Sequence, residues 1–480
     1  MGTNVTRRER LIDALDRQLA QRSGWLILAC LMALAAFPAL SLNRLHGDEY
    51  TYTAAASVIA EYARGDADLA SLLRVLVGDG HFMPGTALLT APLFLAFPDP
   101  ANWLVRTWWG AMMVLFWLWS VAETRRKLGP PFTLAAVVFP AATVSWHMMA
   151  ATANGDVAGG LLLLIAFART YGLCRALIAG ERLPLRAIIA LEIVLALMIY
   201  MRGPTILVAG IMNAGILVAV LMGRTHLAKS AFALVCGFAL LIATLILWML
   251  ATKRVLGEPL LTTSTLPLSL AYTFGDREKL CFGRCPSGNI WHVMPEFSRQ
   301  EARRLSTSEL EVQRRMADHA LVSLTAKHYF ATVRGNFVRF VTHPTEETEK
   351  LIRGSWRLPE HLKPAFRKVI RAIDWPIYAI FLMTLLAANL LILRTTLEHQ
   401  VISLAIKSMT WVIFVQPFIH PSHGRYWPVF APLMALSAGH LLAIYTRQTN
   451  CATPGIGILT VLQAFHAAAV LATACILVVL

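Results

Sequence analysis

The chain has 480 residues, of which 57% are hydrophobic and only 15% are charged. The hydrophobic residues are clustered in long runs. Long apolar runs are typical of a membrane-spanning chain and exclude an ordinary soluble globular domain. The net charge of +15 therefore indicates Lys and Arg near lipid headgroups at helix ends, and no nucleic-acid partner is expected.

Residues 1–23 are polar and rich in Arg, which predicts a cytoplasmic N-terminal segment. The apolar run 24–42 lacks a small-residue cleavage site, so it predicts a first transmembrane helix and not a cleaved signal peptide. A span needs about 20 apolar residues. The hydropathy predicts an all-α polytopic protein with about eleven transmembrane helices, at 24–42, 103–122, 131–149, 157–177, 187–201, 204–222, 230–251, 373–393, 401–418, 427–445 and 456–478.

Clusters of basic residues follow every second predicted helix, and they fix the predicted orientation. They are Arg125, Arg126, Lys127, Arg175, Arg182, Arg186, Arg224, Lys229, Arg394 and Arg447. All lie inside if the N-terminus is inside, as the positive-inside tendency requires. The short run 81–97 contains Pro84 and Pro92, and as a span it would move the Arg125 cluster outside. It therefore predicts a re-entrant or interfacial helix on the outer face.

The pattern predicts three parts after the N-terminal segment. The first is a transmembrane catalytic module at 24–251, which includes an outer loop at 43–102 with amphipathic stretches. The second is a small helical outer domain at 252–372, and the third comprises the helices of 373–480. Cys281 and Cys285 are the only close cysteine pair; they form either a small disulfide on an oxidising side or two unrelated thiols.

Two acidic sites follow predicted helix ends on the outer side. Asp48 and Glu49 stand just beyond the first helix, and Asp156 stands at the turn between the third and fourth. A carboxylate in a low-dielectric site can act as a base toward a hydroxyl or bind a cation. The alternative for Asp48 and for Asp156 is a helix N-cap.

Basic and hydrogen-bonding residues are predicted on the same face. Arg202 occupies an outer turn, His81 opens the re-entrant segment, and the turn between the ninth and tenth helices holds His423, Arg425 and Tyr426. Guanidinium groups match phosphate geometry, while snorkelling to headgroups is the alternative. Carboxylates together with arginines predict a donor with a phosphate leaving group. Since no nucleotide-binding fingerprint is present, a lipid-attached donor is favoured.

In their order and spacing these motifs resemble the GT-C superfamily of membrane glycosyltransferases, in particular the branch of protein O-mannosyltransferases and the lipid A aminoarabinose transferase. The matching positions are Asp48-Glu49, the segment 81–85 with His81, Arg106, Asp156, Arg202-Gly203-Pro204 and Arg425-Tyr426. The resemblance implies a GT-C-like fold and an inverting transfer from a polyprenyl-phosphate sugar.

The resemblance also implies roles for the matched residues. Asp48 would be the base with Glu49 beside it, and Asp156 would orient the acceptor or a cation. Arg202 and Arg425 would hold the lipid phosphate, and Arg106, His81, His423 and Tyr426 would complete the substrate site. Asn154 stands where an Asp-x-Glu pair would need a carboxylate. No cofactor is therefore assigned, and a divalent cation is not favoured.

The expected partners are the lipid-linked sugar, membrane lipids and a hydroxyl acceptor on a lipid-linked glycan, a polysaccharide or a protein. The expected location is a bacterial inner membrane, with the site facing the periplasm. Two alternatives stay open. An O-antigen ligase or polysaccharide polymerase would use a lipid-diphosphate donor, and a transporter or flippase would show mid-membrane charges and internal repeats. Glu192 and Lys407 are the clear mid-helix charges, and no repeat is visible.

Overall fold

The computed structural model describes residues 7–40, 42, 44–78, 80–223, 227–288, 290–355, 357–394, 396–421, 427–446 and 457–479. Throughout these ranges the protein is helical, with no β-strand. The first helices are α1 (Arg7–Ala20), α2 (Arg22–Leu40), α3 (Asp48–Arg64), α4 (Leu69–Val77) and α5 (Gly85–Ala96). The bundle continues with α6 (Asn102–Lys127), α7 (Pro130–Ala142), α8 (Val144–Ala150), α9 (Asp156–Ile178), α10 (Leu185–Met201), α11 (Ile206–Gly223) and α12 (Leu227–Leu256).

A run of shorter helices follows, namely α13 (Thr265–Phe274), α14 (Ile290–Leu305), α15 (Glu309–Leu321), α16 (Ala326–Thr342) and α17 (Glu346–Ser355). The chain then returns to long apolar helices, α18 (Lys363–Leu390), α19 (Leu397–Ile413), α20 (Trp427–Thr446) and α21 (Ile458–Val479). Short 3₁₀ turns occur at Gly203–Thr205, Arg277–Gly283 and Gln416–Phe418.

Seven helical segments are long and apolar enough to cross a membrane, within the residues that the structure describes. They are Asn102–Lys127, Asp156–Ile178, Gly203–Met222, Lys229–Leu256, Lys363–Leu390, Leu397–Phe418 and Ile458–Leu477. Each coincides with one of the eleven predicted spans. The predicted spans 24–42, 187–201 and 427–445 correspond to shorter apolar stretches of α2, α10 and α20. Seven or eight candidate spans are thus present, and the count of eleven is not confirmed.

The predicted span at 131–149 is bent, because α7 and α8 meet at an angle of 83°. Pro140 cannot donate a hydrogen bond to the carbonyl of Ala136, and that oxygen instead accepts from Nε1 of Trp117 at 3.2 Å. Thr143 is extended, with φ −109° and ψ 122°. The segment is therefore either a broken span, which would be the eighth, or a re-entrant loop.

Because α8 begins at the break, its first backbone N–H groups have no acceptor within the helix. A carboxylate that is distant in the chain accepts their hydrogen bonds. Oδ1 of Asp374 accepts from the N–H of Val144 at 2.7 Å, and Oδ2 accepts from the N–H of Ser145 at 2.7 Å. Asp374 is completely buried in α18. It stabilises the positive end of α8 as a capping residue does, although it comes from another helix.

The long helices on either side extend into the predicted outer domain 252–372. Helix α12 continues to Leu256 and α18 begins at Lys363, ten residues before the predicted start at 373. Its helices α13 to α15 enclose a small core of their own that includes Leu268, Val312 and Met316. The disulfide alternative for Cys281 and Cys285 is the one present, with Cα atoms 4.9 Å apart.

Helix α16 is joined to the bundle by contacts of Phe340 with Trp427 of α20. The ring of Phe340 in α16 stacks on Trp427 with centroids 4.7 Å apart, and Nε1 of Trp427 donates to the carbonyl of Phe340 at 2.9 Å. The following helix, α17, begins four residues later and packs against α8 and α18. The α17 helix is thereby brought to the end of the bundle where α3 begins.

Candidate functional site

Glu49 lies in the first turn of α3, and only 2% of it is exposed. Its Oε2 accepts from Nη2 of Arg106 at 2.6 Å, and its Oε1 contacts Nη1 of the same guanidinium. Oε1 also accepts from the N–H of Ala153 at 2.8 Å, and Oε2 from the N–H of His46 at 2.8 Å. Glu49 therefore joins α3 to α6 and to the turn between α8 and α9.

The partner of Glu49, Arg106, is completely buried near the start of α6. Its Nη2 also donates to the carbonyl of Arg44 at 2.9 Å. The two residues were predicted to act on substrates, Glu49 in catalysis and Arg106 toward the donor. The structure brings them together, but it pairs them with each other. Their ion pair also holds the backbone of Arg44 and His46, in the loop that leads to Asp48.

Asp48 precedes Glu49 by one residue and lies in a different environment. It borders an open cavity of about 60 Å³. The cavity is lined by His46, Gly47, Asp48, Glu49, Met149, Thr152, Asn154, Glu347 and Leu351. Gly47 precedes the helix with φ +54°, a conformation that favours glycine. Because Gly47 occupies the N-cap position, Asp48 is the first helical residue and not the predicted cap.

Asp156 is the first residue of α9, is completely buried and forms an ion pair with the guanidinium of Arg202. The N-cap position belongs to Gly155, so the cap alternative does not describe Asp156 either. Arg202 follows α10 in an extended conformation, and 20% of its side chain is exposed. Two residues predicted from separate turns are thus in direct contact.

Glycines permit the close approach of these elements. Gly155 has φ +73°, and a Cβ atom there would lie 2.4 Å from Oγ1 of Thr86 at the start of α5. A Cβ atom at Gly159 would lie 3.2 Å from Cγ of Arg202. The turn 151–155 is therefore packed tightly against α5 on one side and against the Arg202 turn on another.

Asn154 connects the two acidic sites. It lines the cavity beside Asp48, and its Oδ1 accepts from the N–H of Asp156 at 3.1 Å. The turn 151–155 thus contacts both the Asp48 cavity and Asp156, the partner of Arg202. The arrangement places a carboxylate at an open cavity and a partly exposed guanidinium nearby, at one end of the helix bundle.

His81 lies in the segment between α4 and α5, where the carbonyl of Gly80 accepts from the N–H of Ser264 at 2.8 Å. Two residues later, Met83 approaches the Arg202 turn, since a Cβ atom at Gly203 would lie 3.5 Å from its Cγ. The predicted residues His423, Arg425 and Tyr426 lie outside the described residues. His420, which precedes them, stacks on Trp291 of α14 with centroids 5.6 Å apart.

Glu347, which α17 contributes to the Asp48 cavity, was not among the residues predicted for the site. Its Oε1 lies 3.8 Å from Nδ1 of His46. The available signal was the unusual density of carboxylates in the first turn of α17, at Glu346, Glu347 and Glu349. Within the described part of the chain, no group of three or more His, Cys, Asp or Glu could hold a metal ion.

No protein-family model, no curated protein and no solved structure matches this chain.

Proposed function

We propose that the protein is a GT-C-type glycosyltransferase, with about eleven spans, at the outer face of a bacterial inner membrane. It would move a sugar from a polyprenyl-phosphate donor to a hydroxyl acceptor with inversion. One observation carries the proposal: Asp48 borders an open polar cavity while its neighbour Glu49 is held by Arg106, and the turn 151–155 contacts both this cavity and Asp156, the partner of Arg202.

In this proposal the acceptor hydroxyl enters the cavity, where Thr152, Asn154 and Glu347 offer hydrogen-bonding groups beside Asp48. The acceptor oxygen forms a bond to the anomeric carbon, and the bond from that carbon to the phosphate oxygen breaks. The hydroxyl proton goes to the Asp48 carboxylate, and the bonding electrons leave with the polyprenyl phosphate. General-base assistance of this kind contributes about 10²–10⁴-fold to the rate.

The donor phosphate would lie near Arg202 and Arg425. Negative charge grows on the leaving phosphate as the glycosidic bond breaks, and a fixed guanidinium stabilises that charge most in the transition state. Asp156 would hold the Arg202 side chain in position, while the exposed part of Arg202 faces the donor. The prenyl chain would lie among the apolar helices.

The proposal is tested in the native host by mass spectrometry of cell-envelope glycans. Deletion of the gene should remove one sugar from a glycan, and the wild-type gene should restore it. The Asp48→Asn variant should not restore it, although it should reach the membrane in normal amounts. Asp66→Asn is the matched control, because Asp66 lies in the same loop but is exposed, and its side chain bonds only to the neighbouring Arg64 among the described contacts.

Restoration of the sugar by Asp48→Asn, or an unchanged glycan in the deletion strain, would overturn the proposal. The same experiment addresses the alternatives. A transporter would move a lipid-linked sugar without changing its linkage, and a ligase or polymerase would accept a lipid diphosphate in place of the monophosphate. The hydrogen bonds of Lys407 indicate a structural role for this mid-helix charge and not a transport site. Its Nζ donates to the carbonyls of Ala388 and Leu391 at 2.6 and 2.8 Å, at the end of α18.

A further inference from the structure

One buried acid takes no part in the site described above. Glu192 lies in the middle of α10 and is completely buried. Its partner is Asn213, which lies in the middle of the candidate span Gly203–Met222. Nδ2 of Asn213 donates to Oε2 of Glu192 at 3.4 Å.

The neighbouring helix α12 closes over this pair. A Cβ atom at Gly237 would lie 3.2 Å from Cγ of Glu192 and 2.8 Å from Cγ1 of Ile188. Only a glycine fits at this distance. The side chain of Glu192 therefore packs directly against the backbone of α12 at Gly237.

Two oxygen atoms of the pair have no hydrogen-bond donor among the described residues, Oε1 of Glu192 and Oδ1 of Asn213. Glu192 also has no Lys, Arg or His in ion-pair contact within the same part of the chain. An ionised carboxylate in an apolar helix bundle without a cation is very unfavourable, and the usual solution is to bind a proton.

We propose that Glu192 is a proton-binding site within the membrane-spanning bundle. Its neutral carboxyl and the Asn213 carboxamide form a pair with two hydrogen bonds. In one bond, Nδ2 of Asn213 donates to Oε2, as the structure has it. In the other, the protonated Oε1 donates to Oδ1 of Asn213. A single proton thus satisfies both oxygen atoms that otherwise have no donor.

The pair also has a structural consequence for the Arg202 turn. Glu192 precedes Arg202 by ten residues and Asn213 follows it by eleven. At a rise of about 1.5 Å per residue, the pair lies roughly 15 Å along each helix from the turn. It therefore joins α10 to α11 near the middle of both helices, away from the Arg202 turn.

Infrared difference spectroscopy of the full-length protein in lipid nanodiscs tests this inference. The probe is the proton itself, detected as the C=O stretch of a protonated carboxyl, which lies above the amide I band. At neutral pH the wild type minus Glu192→Gln difference should show this band. Asn213→Leu should retain the band but shift it to higher frequency, because the carboxyl loses its hydrogen-bond partner.

The inference would be overturned if the difference spectrum lacks the band of a protonated carboxyl and shows instead that Glu192→Gln has lost the band of an ionised carboxylate. Thermal unfolding gives a second measurement. Glu192→Gln can form the same two hydrogen bonds, so its Tm should equal or exceed that of the wild type, whereas Glu192→Ala should lower the Tm by several degrees. Equal losses in both variants would also overturn the inference. Neither measurement depends on sugar transfer, so the result stands apart from the proposed function.

Discussion

The Glu49 carboxylate and the Arg106 guanidinium are 57 residues apart in the chain and form a two-point ion pair with almost no exposed surface. Asp48, one residue before Glu49, instead borders an open cavity. The difference follows from helix geometry, because successive residues of a helix point about 100° apart. Two adjacent carboxylates at the start of α3 are therefore given separate roles, one in structure and the other in the proposed chemistry.

Replacement of Glu49 by Gln should destabilise the protein strongly. Removing one partner of a buried ion pair costs about 3–5 kcal/mol, because the other charge stays buried without compensation. Thermal unfolding in detergent, followed by size-exclusion chromatography, should show a marked fall in Tm. Asp48→Asn is the adjacent control and should unfold like the wild type. An unchanged Tm for Glu49→Gln would contradict the structural role.

Replacement of Glu347 by Ala should weaken acceptor binding if the proposed transfer reaction is correct. The loss of one hydrogen bond to a charged group costs about 1.5–3 kcal/mol, which corresponds to roughly a 10- to 100-fold rise in KM for the acceptor. The KM for the donor should stay the same. Glu346→Ala is the control, since Glu346 bonds to Arg339 and not to the cavity. Equal effects of the two variants would exclude a role in acceptor binding.

Arg202→Ala and Arg425→Ala should each weaken binding of the donor more than binding of the acceptor, because both arginines are proposed to hold the lipid phosphate. Displacement of labelled polyprenyl phosphate from the purified protein measures this directly. Arg202→Lys should retain part of the affinity, since Lys keeps the charge but loses the forked geometry. A larger effect on the acceptor than on the donor would count against the phosphate role.

Asp374→Ala should destabilise the protein without reference to any substrate. It would leave the N–H groups of Val144 and Ser145 without their acceptor, at a cost of about 1–3 kcal/mol for each buried group that stays unsatisfied. The Tm of Asp374→Ala should therefore fall. The Tm of Asp374→Asn should fall by less, because the Asn side chain keeps one acceptor oxygen. If Asp374→Ala unfolds at the wild-type temperature, the link between α8 and α18 is not stabilising.

Accessibility labelling tests the predicted orientation of the outer domain. Because a disulfide persists on the oxidising side of the membrane, Cys281 and Cys285 should react with a membrane-impermeant maleimide on intact cells only after mild reduction. Double replacement of this pair by Ser is the control and should abolish the signal. Reaction in intact cells without reductant would show that the disulfide is absent. Reaction only after the cells are opened would show that Cys281 and Cys285 face the inside.

The sequence by itself determined the class of the protein and most of its long helices. All seven helical segments that are long and apolar enough to cross a membrane coincide with predicted spans. They are predictable because an apolar run of that length has one stable solution in a membrane, a helix that satisfies its own backbone. The pairing of Cys281 with Cys285 was likewise one of two alternatives drawn from their spacing alone.

Only the tertiary structure decided which polar side chains are paired and which face a cavity. The N–H groups of Val144 and Ser145, just after the bend at Thr143, bind Asp374, which is about 230 residues away in the chain. Glu347 reaches the Asp48 cavity from α17, far along the chain. Glu49 and Arg106, both predicted as site residues, form an ion pair with each other. Hydropathy reports how apolar a segment is. An ion pair or a helix cap depends on which segments pack together in the fold, and the local sequence of one segment does not specify its packing partner.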